Sequence, residues 1–163
     1  MPKRRHSRKR SRKRSRKRRS SIPKHYTAKL SRKDKKSQLR ELKKSQKDYK
    51  EGKYHTRKKM KSFKNKKSNW TQQFQNKYPE AKSLSQISKV TGIPKGALLA
   101  VKKKGMGAYY SSGSRPNQTA ESWGLARMYA YILGSPTRKV DYHITEKYKI
   151  RFTADDDLLS VFP

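Results

Sequence analysis

The stretch of the chain richest in chemical groups is a loop of Gly, Ser, Pro and Asn residues that presents one arginine. Its hydroxyl groups suggest a nucleophile, and Asp141 and His143, which alternate onto one face of a predicted strand, would complete a catalytic triad. The Ser-Ser-Gly-Ser order lacks the strand-to-helix elbow of a hydrolase, and no second group marks an oxyanion site. We therefore expect hydroxyls that cap backbone groups, and no enzyme. This segment, called the motif loop below, comprises Tyr109, Tyr110, Ser111, Ser112, Gly113, Ser114, Arg115, Pro116 and Asn117.

Metal and cofactor sites are not indicated by the residue types. The chain has no cysteine, and its four histidines are too scattered in the sequence for a zinc site. The glycine-rich segment lacks the lysine spacing of a nucleotide-cradling loop. Asp155, Asp156 and Asp157 are consecutive, and consecutive side chains do not converge on one ion in a helix or strand. We expect no metal and no cofactor, and an acidic tail that caps a terminal helix or competes for the basic surface.

Charge is the strongest signal in the composition. Among 163 residues, 46 are Lys or Arg and 11 are Asp or Glu, a formal net charge of +35. Residues 1–69 hold 32 of the basic and 4 of the acidic side chains. Because these residues are so basic and so polar, we expect them to be disordered until they bind a polyanion. Nucleic acid is therefore the expected partner. No apolar run approaches the roughly 20 residues of a membrane span, so no membrane partner is expected.

The first residues form a low-complexity arm in which Ser-Arg-Lys-Arg recurs from Ser7, Ser11 and Ser15. Such an arm neutralises phosphates without reading sequence, although an import signal would look the same. We assign residues 1–30 to a disordered arm. Arg115, held between glycines and a proline, adds a fixed phosphate contact. The full set of expected nucleic-acid contacts is Arg4, Arg5, Arg8, Lys9, Arg10, Arg12, Lys13, Arg14, Arg16, Lys17, Arg18, Arg19, Lys58, Lys59, Lys66, Lys67, Lys95, Lys102, Lys103, Lys104 and Arg115.

Residues 31–68 are predicted to be a basic helix and a linker. Ser31 begins a helix and Gly52 ends it, with Leu39, Leu42 and Tyr49 on one face. This seam would dock on the rest of the chain or on a second copy, or else the helix is simply solvated. In residues 53–67, aromatic side chains among lysines would stack on bases or serve as a docking segment.

Residues 69–163 are predicted to be the folded domain, mainly α with a small β-hairpin. A short aromatic helix begins at Asn69, and residues 83–105 are typical of a helix-turn-helix with Gly92 in the turn. The outward side of its second helix lacks groups that read base edges, so only Lys102, Lys103 and Lys104, at the end of that helix, would hold phosphates.

Thr119 caps the most apolar helix of the chain, predicted over residues 120–133 and ended by Gly134. On this helix Arg127 is expected to form a buried pair with Glu121 or Asp141. Residues 139–144 and 148–152 alternate between apolar and polar side chains, which predicts the two strands of the hairpin.

The string AYYSSGSRPNQT followed by SWG, with Gly124 to Arg127 and the later VDYHI at residues 140–144, resembles an uncharacterised domain of nucleocytoplasmic large DNA viruses of algae and protists, with relatives in large phages. The resemblance runs from about Tyr49 to Ile144. It implies a viral setting and a compact domain, and it implies no biochemical activity.

These features together predict a basic virion protein that binds nucleic acid, double-stranded DNA above all, without sequence specificity and helps to package the genome. One alternative is a minor capsid or scaffold protein whose domain binds capsid subunits and whose arm touches the genome. Another is an RNA-binding protein that acts during infection. The corresponding locations are the virion and, during infection, the host nucleus or a cytoplasmic virus factory.

Overall fold

Helices make up the regular structure of residues 22–152, the part of the chain that the computed structural model describes. The predicted arm up to residue 21 and the acidic tail from residue 153 lie outside it. A short 3₁₀ turn, Lys24–Tyr26, comes first. The α-helices of the described residues are α1 (Arg32–Lys50), α2 (Asn69–Lys77), α3 (Leu84–Thr91), α4 (Lys95–Ser111), α5 (Ala120–Ile132), α6 (Thr137–Val140) and α7 (Tyr142–Lys147). The expected mainly α fold is confirmed for this range.

Several helix ends lie where the sequence predicted them. The Ser31 and Thr119 hydroxyls accept hydrogen bonds from the backbone N–H groups of Asp34 and Ser122, which caps α1 and α5. Gly52 and Gly134 follow the two helices with φ angles of +76° and +81°. A side chain is strained at such angles, so glycine ends each helix there.

The predicted hairpin is wrong. Residues 139–144 and 148–152 contain no strand: the first range belongs largely to α6 and α7, and the second follows α7 without regular structure. The alternation did not mark a buried face, because Val140 and Tyr142 are exposed at 64% and 58% while Ile144 is buried. Lys149 has a φ of +51°, and Ile150 donates its N–H to the carbonyl of Thr145, so the chain turns after α7 rather than extending.

Helix α4 also differs from the prediction, because it continues through Gly105 and Gly107 to Ser111. We expected a loop from Gly105, with Lys102, Lys103 and Lys104 at a helix end. Packing overrides the weak helix propensity of glycine here. Helix α5 lies directly against α4 at Gly105, where a β-carbon would stand 2.7 Å from the Cα of Gly124.

The core lies between α2, α3, α4, α5 and α7. The ring of Phe74 on α2 stacks on Tyr129 of α5, with centroids 4.2 Å apart. The largest fully buried side chains of this core are Phe74, Leu98, Val101, Met128, Tyr131 and Leu133.

Helix α1 packs against α4 and the motif loop instead of standing apart. Leu42 is fully buried, and a β-carbon on Gly113 would stand 2.8 Å from its Cδ2. Tyr26, within the region assigned to the arm, is also buried and contacts Trp123 edge-on. Tyr26 of the predicted arm and Leu42 of the α1 seam are therefore packed within the chain, while the predicted domain boundaries stay a prediction.

Helices α3 and α4 are joined through Gly92, which has a φ of +69°. The Ser88 hydroxyl donates to the carbonyl of Ile93 and ties the turn to α3. The Tyr148 ring packs on Gly96, 2.9 Å from where a β-carbon would lie, so one outward position of α4 is covered. The helix-turn-helix itself stays a prediction.

Candidate nucleic-acid interface

The outer side of α1 is a continuous band of exposed cations. At 100° per residue, eight of them fall within a 120° sector opposite the buried residues Gln38, Leu42 and Ser45. None lies within ion-pairing distance of an acid in residues 22–152. We call this band the α1 cationic face: Arg32, Lys33, Lys36, Arg40, Lys43, Lys44, Lys47 and Lys50, all exposed.

The acids of α1 all face away from this band. Asp34, Glu41 and Asp48 recur every seven residues, so they share one stripe beside the buried side. Asp34 accepts hydrogen bonds from the Ser62 hydroxyl and N–H at 2.6 and 2.8 Å. Glu41 accepts from His55 Nε2 at 2.9 Å and from the Lys58 N–H at 3.1 Å. The carboxylates are thus used to hold residues 53–62 against α1.

These contacts also keep two of the carboxylates charged. The side-chain and backbone hydrogen bonds from Ser62 lower the pKa of Asp34. Burial would raise the pKa of Glu41, but the hydrogen bonds from His55 and Lys58 outweigh it and lower that pKa.

Two other acids of the fold, Asp141 and Glu121, form ion pairs with basic side chains. Asp141 is fully buried and accepts from Arg127 at 2.8 and 2.9 Å and from Lys104 at 3.1 Å. Glu121 pairs with Lys102. The expected pair of Arg127 with Asp141 is confirmed, whereas Lys102 and Lys104 are held by acids and Lys103 alone of the three is exposed without an ion pair in residues 22–152.

Most of the motif loop is structural. The Asn117 side chain accepts from the Met60 N–H at 2.6 Å and donates to the carbonyls of Met60 and Phe63 at 3.0 and 3.3 Å. Ser114 is buried, accepts from Arg57 Nη2 at 2.8 Å and donates to the carbonyl of Arg115. The loop thereby holds residues 57–63 in place.

The tyrosines of the loop serve the same contact. The Arg57 guanidinium lies 3.6 Å from the ring centroid of Tyr109. Tyr110 stacks on Tyr49 of α1 with centroids 5.9 Å apart, and Tyr54 meets Tyr110 edge-on at 5.1 Å. Of the aromatics that we considered for base stacking in residues 53–67, Tyr54 thus contacts the tyrosines of the loop and of α1, although it is also 72% exposed.

Arg115 is exposed, as are Ser111 and Ser112 of the same loop, and it lines a cavity of about 390 Å³. The cavity lies between the 3₁₀ turn, the start of α2, the motif loop and α5. Its walls include Tyr26, Trp70 and Trp123, and Lys66 and Arg127 line it together with Arg115. Trp70 and Trp123 are the two tryptophans of the chain.

The remaining predicted contacts are spread over the surface. Lys58 and Lys59 are exposed beside the start of α1, Lys66 and Lys67 precede α2, and Lys95 begins α4. The arm residues from Arg4 to Arg19 lie outside the described residues. Sequence reasoning did not select the α1 cationic face, although the seven-residue spacing of its acids was the signal that separated it from the rest of the helix.

Within residues 22–152, no hydrogen bond joins the groups considered for catalysis. Ser114 is bonded to Arg57, Asp141 is enclosed by cations, and His143 is exposed on α7. Within residues 22–152, no group of three or more His, Asp or Glu side chains is arranged to hold a metal. None of the helices in this range is long and apolar enough to cross a bilayer.

Comparison with known proteins gives a family but no activity. No curated protein and no solved structure matches the chain. A family model, described as a family of unknown function (DUF5824), matches residues 23–158. The match covers the motif loop and every helix described above, and the chain belongs to this family.

Proposed function

We propose that this protein binds nucleic acid through its phosphates, without reading the base sequence, and that the α1 cationic face is the binding surface of the fold. In the viral setting that the resemblance implies, this activity would neutralise a DNA genome and help to package it. The observation that carries the proposal is the sorting of charge on α1, with eight exposed cations outward and three acids inward.

The dimensions of the face suit a nucleic-acid backbone. From Arg32 to Lys50 the helix rises about 27 Å, so its eight cations are spaced on average about 3.9 Å apart along the axis. The phosphates of one strand of a duplex recur at about 3.4 Å. Lysine and arginine on a regular helix offer point charges and forks to phosphates, and the face carries no Asn or Gln with which to read adenine.

The net charge supports the same partner. Residues 22–152 hold 33 basic and 8 acidic side chains, a net charge of +25, before the 13 cations of residues 1–21 are added. Because internal contacts occupy most of these acids, the outer surface is more basic than the composition alone implies.

The alternative of a capsid or scaffold protein loses one of its supports. The Leu39, Leu42 and Tyr49 seam was its proposed interface, and Leu42 is buried within the chain while Tyr49 stacks on Tyr110. The apolar tail that would be its second interface lies outside the described residues.

The test compares two variants of the full chain with equal loss of charge. In the face variant, Lys36, Arg40, Lys43 and Lys47 become Gln; in the control, the exposed Lys82, Lys89, Lys139 and Lys149 become Gln. We expect the face variant to bind a random-sequence duplex at least about tenfold more weakly than the control at about 0.1 M salt, because counterion release depends on the cations that touch phosphate. Equal affinities of the two variants would contradict the proposal.

A further inference from the structure

The cavity beside Arg115 combines features that the proposed phosphate contact does not use. Trp70 and Trp123 are only partly buried, and both line the cavity. Together with Tyr26 they give the cavity aromatic walls. Every nucleobase has a π face that stacks on such rings, whatever its identity.

The charge of the lining is of one sign. Neither Asp nor Glu is among the residues that line the cavity, whereas Lys66, Arg115 and Arg127 are. Arg127 is committed to Asp141, but Lys66 and Arg115 make no ion pair with any acid of residues 22–152. Two cations of the lining, Lys66 and Arg115, are therefore available to pair with an anionic ligand.

Arg115 is also held in place by its backbone. Its carbonyl accepts a hydrogen bond from the Ser114 hydroxyl at 2.8 Å, and the next residue, Pro116, is fully buried. The side chain itself is exposed. The backbone therefore fixes the point from which the guanidinium reaches, while the side chain is ordered only when it binds a phosphate.

The size and polarity of the cavity further restrict the class of ligand that it can bind. A volume of about 390 Å³ is at the lower end for small-molecule sites and too small for a duplex. Asn69 lines the cavity and its side chain makes no hydrogen bond within residues 22–152, so it offers a donor and an acceptor to a base edge. A purely apolar ligand would leave the cations unsatisfied, and a bare phosphate would leave the rings unused.

We propose that this cavity binds one nucleotide, with its base stacked on the indole rings and its phosphate paired with Arg115 and Lys66. The nucleotide is either an unstacked unit of a nucleic-acid strand or a free nucleoside phosphate. The first form rests on the proposed nucleic-acid binding, and the second does not.

Intrinsic fluorescence tests this inference directly, because both tryptophans of the chain line the cavity. The full chain is titrated with adenosine monophosphate, a twelve-residue single strand of deoxyadenosine, the matching duplex, and inorganic phosphate. Saturable quenching is expected from the mononucleotide, the single strand or both. Much weaker quenching is expected from the duplex, whose bases stay stacked, and from inorganic phosphate, which has no ring.

Two variants give the residue-level check. Arg115→Ala is expected to weaken the binding of the ligand that quenches the fluorescence by at least about fivefold, because the guanidinium supplies a charged hydrogen bond to phosphate. Lys82→Ala, an exposed cation that does not line the cavity, should leave it unchanged. Circular dichroism checks that each variant is folded, which is expected because the Arg115 side chain makes no hydrogen bond within residues 22–152.

The ligand that quenches the fluorescence shows whether the cavity binds a free nucleotide or a unit of a strand. Quenching by the mononucleotide alone means a free nucleotide, and stronger quenching by the single strand means a strand. Absence of quenching by both, or quenching that Arg115→Ala leaves unchanged, would overturn the inference.

The face variant of α1 separates this inference from the proposed function. If that variant loses duplex binding but no nucleotide quenches, the cavity inference fails and the proposed function stands. If the nucleotide quenches the fluorescence and the face variant binds duplex like its control, the cavity inference stands and the proposed function fails.

Discussion

Gly105 of α4 and Gly124 of α5 lie in direct backbone contact. A β-carbon on Gly105 would stand 2.7 Å from the Cα of Gly124, and one on Gly124 would stand 2.7 Å from the carbonyl oxygen of Lys102. This contact sets the distance between the two longest helices of the core. It also sets where Lys104 and Arg127 lie, so that both reach Asp141.

Gly105→Ala is expected to destabilise the fold by about 2 kcal/mol or more, since the new methyl group meets backbone that cannot rotate away. Gly107→Ala in the same helix is the control. Its β-carbon would stand 3.2 Å from the Tyr49 hydroxyl, at the end of a side chain that can shift, and alanine favours the helix. Denaturant unfolding of both variants measures the difference, and similar losses would show that the glycine contact is not limiting.

Asp141→Asn is expected to lower the free energy of unfolding by about 2 to 3 kcal/mol, because it leaves Arg127 and Lys104 without their shared carboxylate. Asparagine retains the size of the side chain, so the loss reports charge and hydrogen bonding rather than a cavity. Glu146→Gln, at an exposed acid that forms no ion pair within residues 22–152, is the control and should change stability little. A loss as small as that of the control would show that solvent replaces the carboxylate.

Stability is expected to fall on acidification. Burial would raise the pKa of Asp141, but the hydrogen bonds from Arg127 and Lys104 lower it below its ordinary value of 3.8. A lowered pKa in the fold means that the stabilisation is complete above the ordinary value and is lost as the pH falls through the folded pKa. Thermal melting of the native chain between pH 7 and pH 2 should show this loss below about pH 4, and Asp141→Asn should show a smaller one. An equal loss in both would assign the acid sensitivity to other carboxylates.

Asn117→Asp tests whether the motif loop is structural. The substitution retains the shape and the tolerance for the φ of +58°, but it replaces two donated hydrogen bonds with a carboxylate facing two carbonyls. We expect about 2 kcal/mol of destabilisation and faster proteolysis between residues 57 and 63. Ser111→Ala, at an exposed hydroxyl of the same loop, should change neither. Unchanged proteolysis in Asn117→Asp would mean that the loop does not hold this segment.

Local signals predicted much of the helical fold. Ser31, Gly52, Thr119 and Gly134 set helix ends by their own chemistry, which needs no knowledge of the rest of the chain. The errors came where long-range packing decided the outcome. Gly105 looked like a loop residue until its role in the contact with Gly124 was visible, and residues 139–152 alternate like strands although their fold is set by Asp141 and the turn at Lys149.

The candidate site was harder to predict for the same reason. Counting charge located the basic half, but which cations are free depends on where the acids point. Lys102 and Lys104 looked like phosphate contacts and are held by Glu121 and Asp141. Trp70 and Trp123 are 53 residues apart in the sequence, and only the folded arrangement places both beside Arg115.

The most direct test of the central claim is the salt dependence of duplex binding by the full chain, the face variant and its equally charged control. The slope of log affinity against log salt reports the number of phosphates contacted, at about 0.9 per phosphate for a duplex. If the α1 cationic face binds the backbone, the four substitutions on it should reduce the magnitude of the slope by up to about 3.6, while the control retains nearly the full slope. Equal slopes for the two variants would contradict the account and assign binding to the arm or to overall charge.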